Sequence, residues 1–121
     1  MIKIAYLYRD LLNLYGESGN IIAMERALKA LNVDYSVDEL SISDNIVLNN
    51  YDFVYIGSGT EENIKIVSED IIKYKDSIKK YINDEKVMLV TGNSIVLFAN
   101  CLKDENDSTI FNGLGIINSD A

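Results

Sequence analysis

The sequence predicts an α/β fold in three layers, with helices on both faces of an open, mostly parallel sheet. Short apolar, β-rich segments alternate along the chain with longer segments whose apolar residues recur at helical spacing. Strands that are separated by helices favour parallel pairing through crossover connections. The 121 residues contain no linker and no internal repeat, so we expect a single domain over residues 1–121.

The first part of the chain predicts two strands around one amphipathic helix. The apolar run Ile2–Tyr8 indicates a central strand that is buried on both faces. After the loop Arg9–Glu17, Ser18 is suited to cap a helix that runs to about Leu31. Five apolar residues share one face of this helix: Ile21, Met24, Ala27, Leu28 and Leu31. Val33–Leu40 alternates apolar and polar residues, which indicates a partly exposed strand near a sheet edge.

The remaining segments continue the alternation. The 11-residue connection Ser41–Tyr51 is long enough for a short helix or an irregular crossover, and Asp52–Ile56 predicts a buried strand. Thr60 is a good N-cap for a long helix. Six apolar residues recur at helical spacing to about Asn83: Ile64, Val67, Ile71, Tyr74, Ile78 and Tyr81. The chain then predicts a strand, an apolar helix and a last strand: Val87–Val90, Ser94–Leu102 and Phe111–Asn118.

Composition argues against several classes of function. The net charge of −8 disfavours a nucleic-acid partner, since such proteins neutralise phosphates with clustered Lys and Arg. The chain has no histidine, hence no imidazole base and no typical histidine-bearing metal site, and we expect neither metal nor cofactor. No apolar run approaches the ~18 residues of a membrane span. Together with a start that goes directly into a strand, this predicts a cytoplasmic protein.

A glycine-rich loop follows the third predicted strand and consists of Gly57, Ser58, Gly59 and Thr60. Glycines allow the backbone to approach a ligand and to turn its N–H groups inward. A tight turn with a helix cap and an oxyanion-hole loop both fit this pattern. A flavin or nucleotide phosphate loop fits less well, because Glu61 and Glu62 would repel a phosphate and because the flavodoxin loop follows the first strand.

A second motif, Val87–Asn93, runs from a buried strand through a sharp turn into a helix, which is how α/β enzymes present a nucleophile at an elbow. The elbow residue is Thr91. A threonine hydroxyl needs a base to become nucleophilic, and the chain has no histidine. An inert turn with Thr91 as helix cap is therefore favoured. Cys101, predicted near the end of the apolar helix, is better placed for a buried structural role than for a reactive thiolate.

The loop before the first helix is unusually apolar, with Leu11, Leu12, Leu14 and Tyr15. Exposed apolar loop residues often mark a contact surface, but such residues also fold back over a core. Both alternatives remain open from the sequence.

Taken in chain order, the apolar loop, the glycine-rich loop and the elbow segment resemble the class I glutamine amidotransferase domain of the cobyric acid synthase type. Within it they are most similar to the small glutaminase subunit of lipid II isoglutaminyl synthase. The segment Asp10–Ile21 is similar to the N-terminal signature of that subfamily, and Gly57–Glu61 is similar to its glycine-rich oxyanion loop. Val87–Phe98 resembles the strand, elbow and helix of the nucleophile, and Gly113–Gly115 resembles the following Gly-Leu-Gly strand.

The sequence departs from the family pattern at the elbow. The family has a cysteine there, followed by two glycines and shortly by a glutamine. This chain has Thr91, then Gly92 and Asn93, with Ile95 where the glutamine would fall. The catalytic histidine and its acidic partner belong to a later part of the family's domain, so the resemblance covers about the first half of that domain.

The resemblance implies a flavodoxin-like sheet and a glutaminase-like domain that has lost its nucleophile and acts as a binding module. It implies a Mur-ligase-like synthetase or a second copy as partner, and glutamine as a possible ligand. The oxyanion-loop candidates are Gly57, Ser58, Gly59, Thr60 and Gly92, and the partner- or substrate-loop candidates are Asp10, Asn13, Tyr15 and Asn20. There are two alternative hypotheses for the function of the chain. It could be part of an active amidotransferase, or it could be a flavin- or nucleotide-binding module. A half-domain should also expose an apolar sheet edge for a partner.

Overall fold

The strands and helices follow the predicted alternation. A computed structural model describes residues 1–14, 18–99, 101–103 and 109–116. The strands are β1 (Ile2–Leu7), β2 (Tyr35–Leu40), β3 (Phe53–Ile56), β4 (Val87–Val90), β5 (Cys101–Lys103) and β6 (Thr109–Asn112). The α-helices are α1 (Ser18–Ala30), α2 (Glu61–Ile71) and α3 (Lys75–Asn83), and 3-10 helices cover Leu48–Asn50, Ile72–Tyr74 and Gly92–Phe98.

The main sheet has the strand order β2-β1-β3-β4, and every pair in it is parallel. The central position of β1 and the edge position of β2 are confirmed, as is the open, mostly parallel α/β sheet of flavodoxin-like type. The register pairs Leu7 with Ile56 and Ile56 with Val90. The carboxyl ends of β1, β3 and β4 are therefore level with one another, which brings the loops after them to one edge of the sheet.

One face of the sheet packs against α2 and α3. All six apolar residues predicted for the long helix lie in this core: Ile64, Val67, Ile71, Tyr74, Ile78 and Tyr81. The single helix that we expected is interrupted by the 3-10 turn Ile72–Tyr74, across which the buried face continues from Ile71 to Ile78.

The other face packs against α1, where Ile21 meets Ile4, Tyr6 and Tyr55. The prediction that Ala27 and Leu31 also face this core is wrong. Both are exposed, Leu31 by 72%. Asn32 takes a left-handed φ of 55° and its N–H bonds to Lys29 O, while Val33 N–H bonds to Leu28 O. This Schellman arrangement ends the helix before Leu31 can turn inward.

The helix predicted over Ser94–Leu102 is also wrong. The chain forms a 3-10 helix that ends at Phe98, and Ala99 is already extended. Leu114 N–H donates to Leu97 O at 2.8 Å, and Gly115 N–H donates to Ala99 O at 2.9 Å. These carbonyls therefore accept hydrogen bonds from the segment 114–115 instead of from a further helical turn. Gly113 permits this approach, because a Cβ there would lie 2.2 Å from Ala99 O.

As a consequence, Cys101 lies in β5 and not in a helix. Its side chain, and hence its expected burial, lies outside what the structure describes. The predicted last strand Phe111–Asn118 is shifted: β6 ends at Asn112, pairs antiparallel with β5, and leaves 113–116 without strand structure. Residues 117 and 118 lie outside the described residues.

Strand β4 is an outer strand of the main sheet as far as the structure describes it. Val87 is 56% exposed and Leu89 is 43% exposed, although the sequence alone predicted a buried strand. An apolar groove of about 260 Å³ runs beside β4 and includes Met88, Val90, Ile95, Phe98 and Ile116 in its lining. None of the described helices combines the length and apolarity that a bilayer crossing requires.

Candidate functional site

The three loops singled out in the sequence meet at the carboxyl ends of β1, β3 and β4. In open α/β sheets, ligands bind at this edge. Thr91 N–H bonds to Ile56 O at 3.0 Å, which continues the β3–β4 pairing one residue beyond the strands. The elbow is thus fixed to the start of the glycine-rich loop by the sheet itself.

The elbow turns at Gly92, whose φ is +60°. A Cβ at this position would lie 1.8 Å from Ser58 Oγ, so the residue must be glycine both for its backbone angle and for space. Ser58 is 1% exposed, and its hydroxyl donates to Thr91 O at 3.1 Å. Gly92 and Ser58, both oxyanion-loop candidates, therefore pack directly against each other.

The hydroxyl of Thr91 belongs to a chain of hydrogen bonds. Asn20 Nδ2 donates to the Tyr55 hydroxyl at 2.8 Å, and that hydroxyl lies 3.2 Å from Thr91 Oγ1. Thr91 Oγ1 in turn donates to Ile56 O at 3.5 Å. Either hydroxyl can be the donor in the hydrogen bond between Tyr55 and Thr91. The described partners of the Thr91 hydroxyl are thus a phenol hydroxyl and a backbone carbonyl.

The expected capping role of Thr91 is wrong. Thr91 precedes the 3-10 helix, but its side chain makes no cap hydrogen bond. Its Oγ1 is bonded to Tyr55 and to Ile56 O instead. In contrast, the predicted cap at Thr60 is confirmed, since Thr60 Oγ1 accepts from Asn63 N–H at 3.1 Å at the start of α2.

The glycine-rich loop is held by side chains from the turn after β4. Ser94, which is fully buried, donates to Gly57 O. Asn93 makes two hydrogen bonds with the backbone of Gly59: its Oδ1 accepts from Gly59 N–H at 3.2 Å and its Nδ2 donates to Gly59 O at 2.6 Å. The loop and the elbow are one hydrogen-bonded unit.

The loop after β1 completes this unit. A Cβ on Gly59 would lie 2.5 Å from Leu12 Cδ2, so only glycine lets the two loops approach this closely. Leu14 N–H bonds to Ser58 O at 2.9 Å, and Asn63 Nδ2 donates to Leu11 O at 3.1 Å. The two alternatives for the apolar loop each hold in part: Leu12 is fully buried in the core, whereas Leu14 is 45% exposed.

The partner-loop candidates separate into different environments. Asp10 and Asn13 share a small cavity of about 140 Å³ with Thr60 and Asn63. Asp10 also accepts from Ser41 Oγ at 2.6 Å. Asn20 instead points to Tyr55 and so belongs to the elbow. Tyr15 lies outside the described residues.

Tyr8 links the end of β1 to α2 and was not predicted as a site residue. It has a left-handed φ of 56°, and its hydroxyl donates to Asp70 at 2.7 Å. Burial raises the pKa of this phenol, and the Asp70 carboxylate raises it further. Lys73 bonds to the same carboxylate at 2.9 Å, which raises the pKa of the lysine. These bonds tie the end of β1 to α2.

Sequence reasoning also missed Tyr55 and the role of Asn93. A tyrosine within a short apolar strand was a usable signal, because a buried phenol needs a hydrogen-bond partner. Asn93 carried no such signal, since its partner Gly59 is 34 residues away in the chain. Among the described residues, no cluster of three or more metal-ligating side chains occurs.

A further cavity lies away from the elbow. It has a volume of about 420 Å³ and lies between α1 and β2, with Tyr6, Glu25, Tyr35 and Glu39 in its lining. Arg9 pairs with Glu39 beside it. Neither Thr91 nor Gly59 lines this space, so it is a separate feature from the candidate site.

Comparison with known proteins identifies homologous subunits. No model of a known protein family matches the chain. The chain is 30% identical over 116 residues to the lipid II isoglutaminyl synthase (glutamine-hydrolyzing) subunit GatD of Streptococcus pneumoniae, covering 96% of this chain and 44% of that protein. It is also 30% identical over 83 residues to the Staphylococcus aureus subunit of the same name, covering 69% and 34%. The chain thus spans less than half the length of these relatives.

Proposed function

We propose that this chain is a glutamine-amidotransferase-like module of lipid II amidation, impaired at its nucleophile position, that acts by binding a partner synthetase. The homology extends over 96% of the chain and to subunits named for glutamine hydrolysis in lipid II isoglutaminyl synthesis. The observation that carries the impairment is the bonding of Thr91. Its hydroxyl lies at the elbow and is held between the Tyr55 hydroxyl and Ile56 O.

A threonine hydroxyl attacks a carbonyl only when a base removes its proton. The partners of the Thr91 hydroxyl are a phenol hydroxyl and a peptide carbonyl, and neither is the imidazole, amine or carboxylate that usually takes up such a proton. The hydrogen bonds of Thr91 therefore orient the hydroxyl without activating it. The elbow keeps its shape, as the contact between Gly92 and Ser58 requires, while its chemistry is absent.

The surface proposed for binding is the Arg9–Asn20 segment, of which the structure places residues 9–14 at this edge, together with the glycine-rich loop Gly57–Thr60. Among the described residues of the first loop, Leu14 is an apolar residue that is exposed at this edge. Its N–H donates to Ser58 O. Asp10 and Asn13 add polar groups at the small cavity beside it. A Mur-ligase-like synthetase is the proposed partner, on the resemblance of Asp10–Ile21 to the subfamily signature.

Glutamine hydrolysis by the purified chain tests the impairment. We expect no release of glutamate above the rate in buffer, and the same result for Thr91→Ala. Hydrolysis that is present in the chain and lost in Thr91→Ala would overturn the proposal.

Partner binding is tested with a purified Mur-ligase-like lipid II synthetase subunit. We expect Leu14→Glu to weaken the complex in a titration, because the change places a charge at the centre of the proposed surface. Ile22→Glu is the matched control, since Ile22 is 49% exposed but lies on α1. Equal weakening by both changes, or no complex with the unchanged chain, contradicts this surface.

A second candidate function is part of an active amidotransferase that supplies ammonia with the help of residues outside this chain. The attachment of Ser58 to the elbow favours it, since an oxyanion site requires a loop that is fixed in place. Hydrolysis that appears only in the presence of the synthetase, and disappears with Thr91→Ala, would favour this candidate over the first.

A further inference from the structure

The side chain of Asn93 occupies both backbone polar groups of Gly59. The Gly59 N–H donates to Oδ1 at 3.2 Å, and Gly59 O accepts from Nδ2 at 2.6 Å. The two residues are 34 positions apart, so this is a tertiary contact and not a local turn. Asn93 is exposed, whereas Gly59 is buried beneath it and against Leu12.

The chemistry of this contact is specific to a primary carboxamide. Such a group presents one carbonyl acceptor and an NH2 donor, and the backbone N–H and C=O of one residue complement it with two hydrogen bonds. A carboxylate of the same shape has no donor for Gly59 O, and an aliphatic group has neither function. The pair therefore distinguishes a glutamine or asparagine side chain from glutamate or aspartate.

We infer that the Gly59 backbone is a carboxamide-binding position and that Asn93 closes it from within the chain as a substitute for a ligand's amide. The inference deepens the proposed function and rests on it, because glutamine carries the same carboxamide. It adds a second defect to the site. Thr91 lacks a base, and Asn93 fills the place at which a substrate amide would be held.

The neighbours of Asn93 fix it in this place. Gly92, which precedes Asn93, packs against Ser58, and Ser94, which follows it, donates to Gly57 O. Both neighbours of Asn93 thus contact the glycine-rich loop. The side chain of Asn93 is exposed, so its replacement by alanine opens no cavity in the core. The closure is thus a property of one side chain, and its removal should leave the site's backbone in place.

The test uses the 121-residue chain labelled with ¹⁵N and follows the Gly59 amide resonance during addition of L-glutamine. In Asn93→Ala we expect a saturable shift of Gly59, with binding about tenfold tighter than in the unchanged chain, because no internal hydrogen bonds must be broken first. L-glutamate should produce no such shift. Asn63→Ala is the matched control, because it removes a carboxamide that bonds to Leu11 O and not to Gly59.

Two results would overturn the inference. If the Gly59 resonance responds to glutamine equally in the unchanged chain, Asn93 does not close the position. If it responds in neither protein, or equally to glutamate, the position is not specific for a carboxamide. Partner binding is measured separately, so a failure here leaves the proposed docking of the chain unaffected and is distinguishable from its failure.

A measurement on the unchanged chain guards against a variant that does not fold. The Asn93 side-chain NH2 should exchange with solvent roughly fivefold more slowly than that of Asn32, an exposed residue at the end of α1. Equal exchange at the two carboxamides would show that Asn93 is not bonded to Gly59, and would by itself overturn the closure.

Discussion

At the scale of single residues, the site depends on small groups whose partners are distant in sequence. Gly92 has no room for a side chain because Ser58 lies against it, and Thr91 is held by Tyr55 and Ile56 O. These contacts hold the elbow in place in the part of the chain that the structure describes. A substitution at Gly92 should therefore change the stability of the fold, whereas a substitution at Thr91 tests the chemistry of the hydroxyl.

Gly92→Ala should destabilise the chain by about 2 kcal/mol or more, because it combines a left-handed φ with a Cβ 1.8 Å from Ser58 Oγ. Urea unfolding measures the change. Gly19→Ala is the control: it lies in α1 with nothing within 4 Å of its Cβ, and we expect it to be neutral or to stabilise by about 0.5 kcal/mol. Equal effects of the two changes would contradict the assigned strain.

The pH dependence of stability should report on Tyr81. Burial, and secondarily the Asp52 charge, raises the pKa of this phenol to about 12. The unfolded chain loses the proton near pH 10, so the contribution of Tyr81 is complete below pH 10 and is lost as the pH rises toward 12.

Between pH 9 and 11, this effect should lower the free energy of unfolding by about 1 kcal/mol. Tyr81→Phe should show a correspondingly smaller fall over the same range, after an initial cost from losing the hydrogen bond to Val87 O. Identical slopes in the two proteins would show that Tyr81 does not carry the dependence.

At the scale of elements, the helices are fixed at their ends by caps and at their faces by the sheet. Thr60 starts α2, and the buried stripe from Ile64 to Tyr81 continues through a 3-10 turn into α3. Asn32 ends α1 by its left-handed turn. Local sequence thus determines where these helices begin or stop, and packing determines how regular they remain between those points.

Thr60→Ala should reduce stability by about 1 kcal/mol, because it leaves the Asn63 N–H without its acceptor. Thr60→Ser retains the acceptor oxygen and should be close to neutral. Chemical denaturation of the three proteins checks the prediction. A loss for Thr60→Ser as large as that for Thr60→Ala would assign the effect to the methyl group and not to the cap.

At the scale of the whole molecule, the outer strand β4 leaves apolar side chains exposed. Leu89 and Val87 are exposed on one face of the sheet, and the groove that includes Met88 and Ile95 lies on the opposite face. An apolar outer strand with unpaired backbone groups favours pairing with another chain. The homo-oligomer considered from the sequence, or a complex with a partner, would cover this edge.

We expect the purified chain to self-associate through β4, and Leu89→Lys to shift it toward monomer in sedimentation velocity. Leu31→Lys is the control, because Leu31 is 72% exposed but lies beyond the end of α1. A monodisperse monomer for the unchanged chain at high concentration would contradict association at this edge.

The sequence by itself determined the alternation of strands and helices, the central position of the first strand, the buried stripe of the long helical region and the cap at Thr60. Each of these follows from local periodicity or from a residue's preference for one backbone position. It also identified the three loops and the resemblance that the homologous subunits support.

Only the tertiary structure decided the outward position of β4, the end of the 3-10 helix at Phe98, the bonding of Thr91 to Tyr55 and the seat of Asn93 on Gly59. The reason is physical. The contacts behind them join residues more than ten positions apart in the chain. The level carboxyl ends of β1, β3 and β4 bring Thr91 to Tyr55 and Asn93 to Gly59.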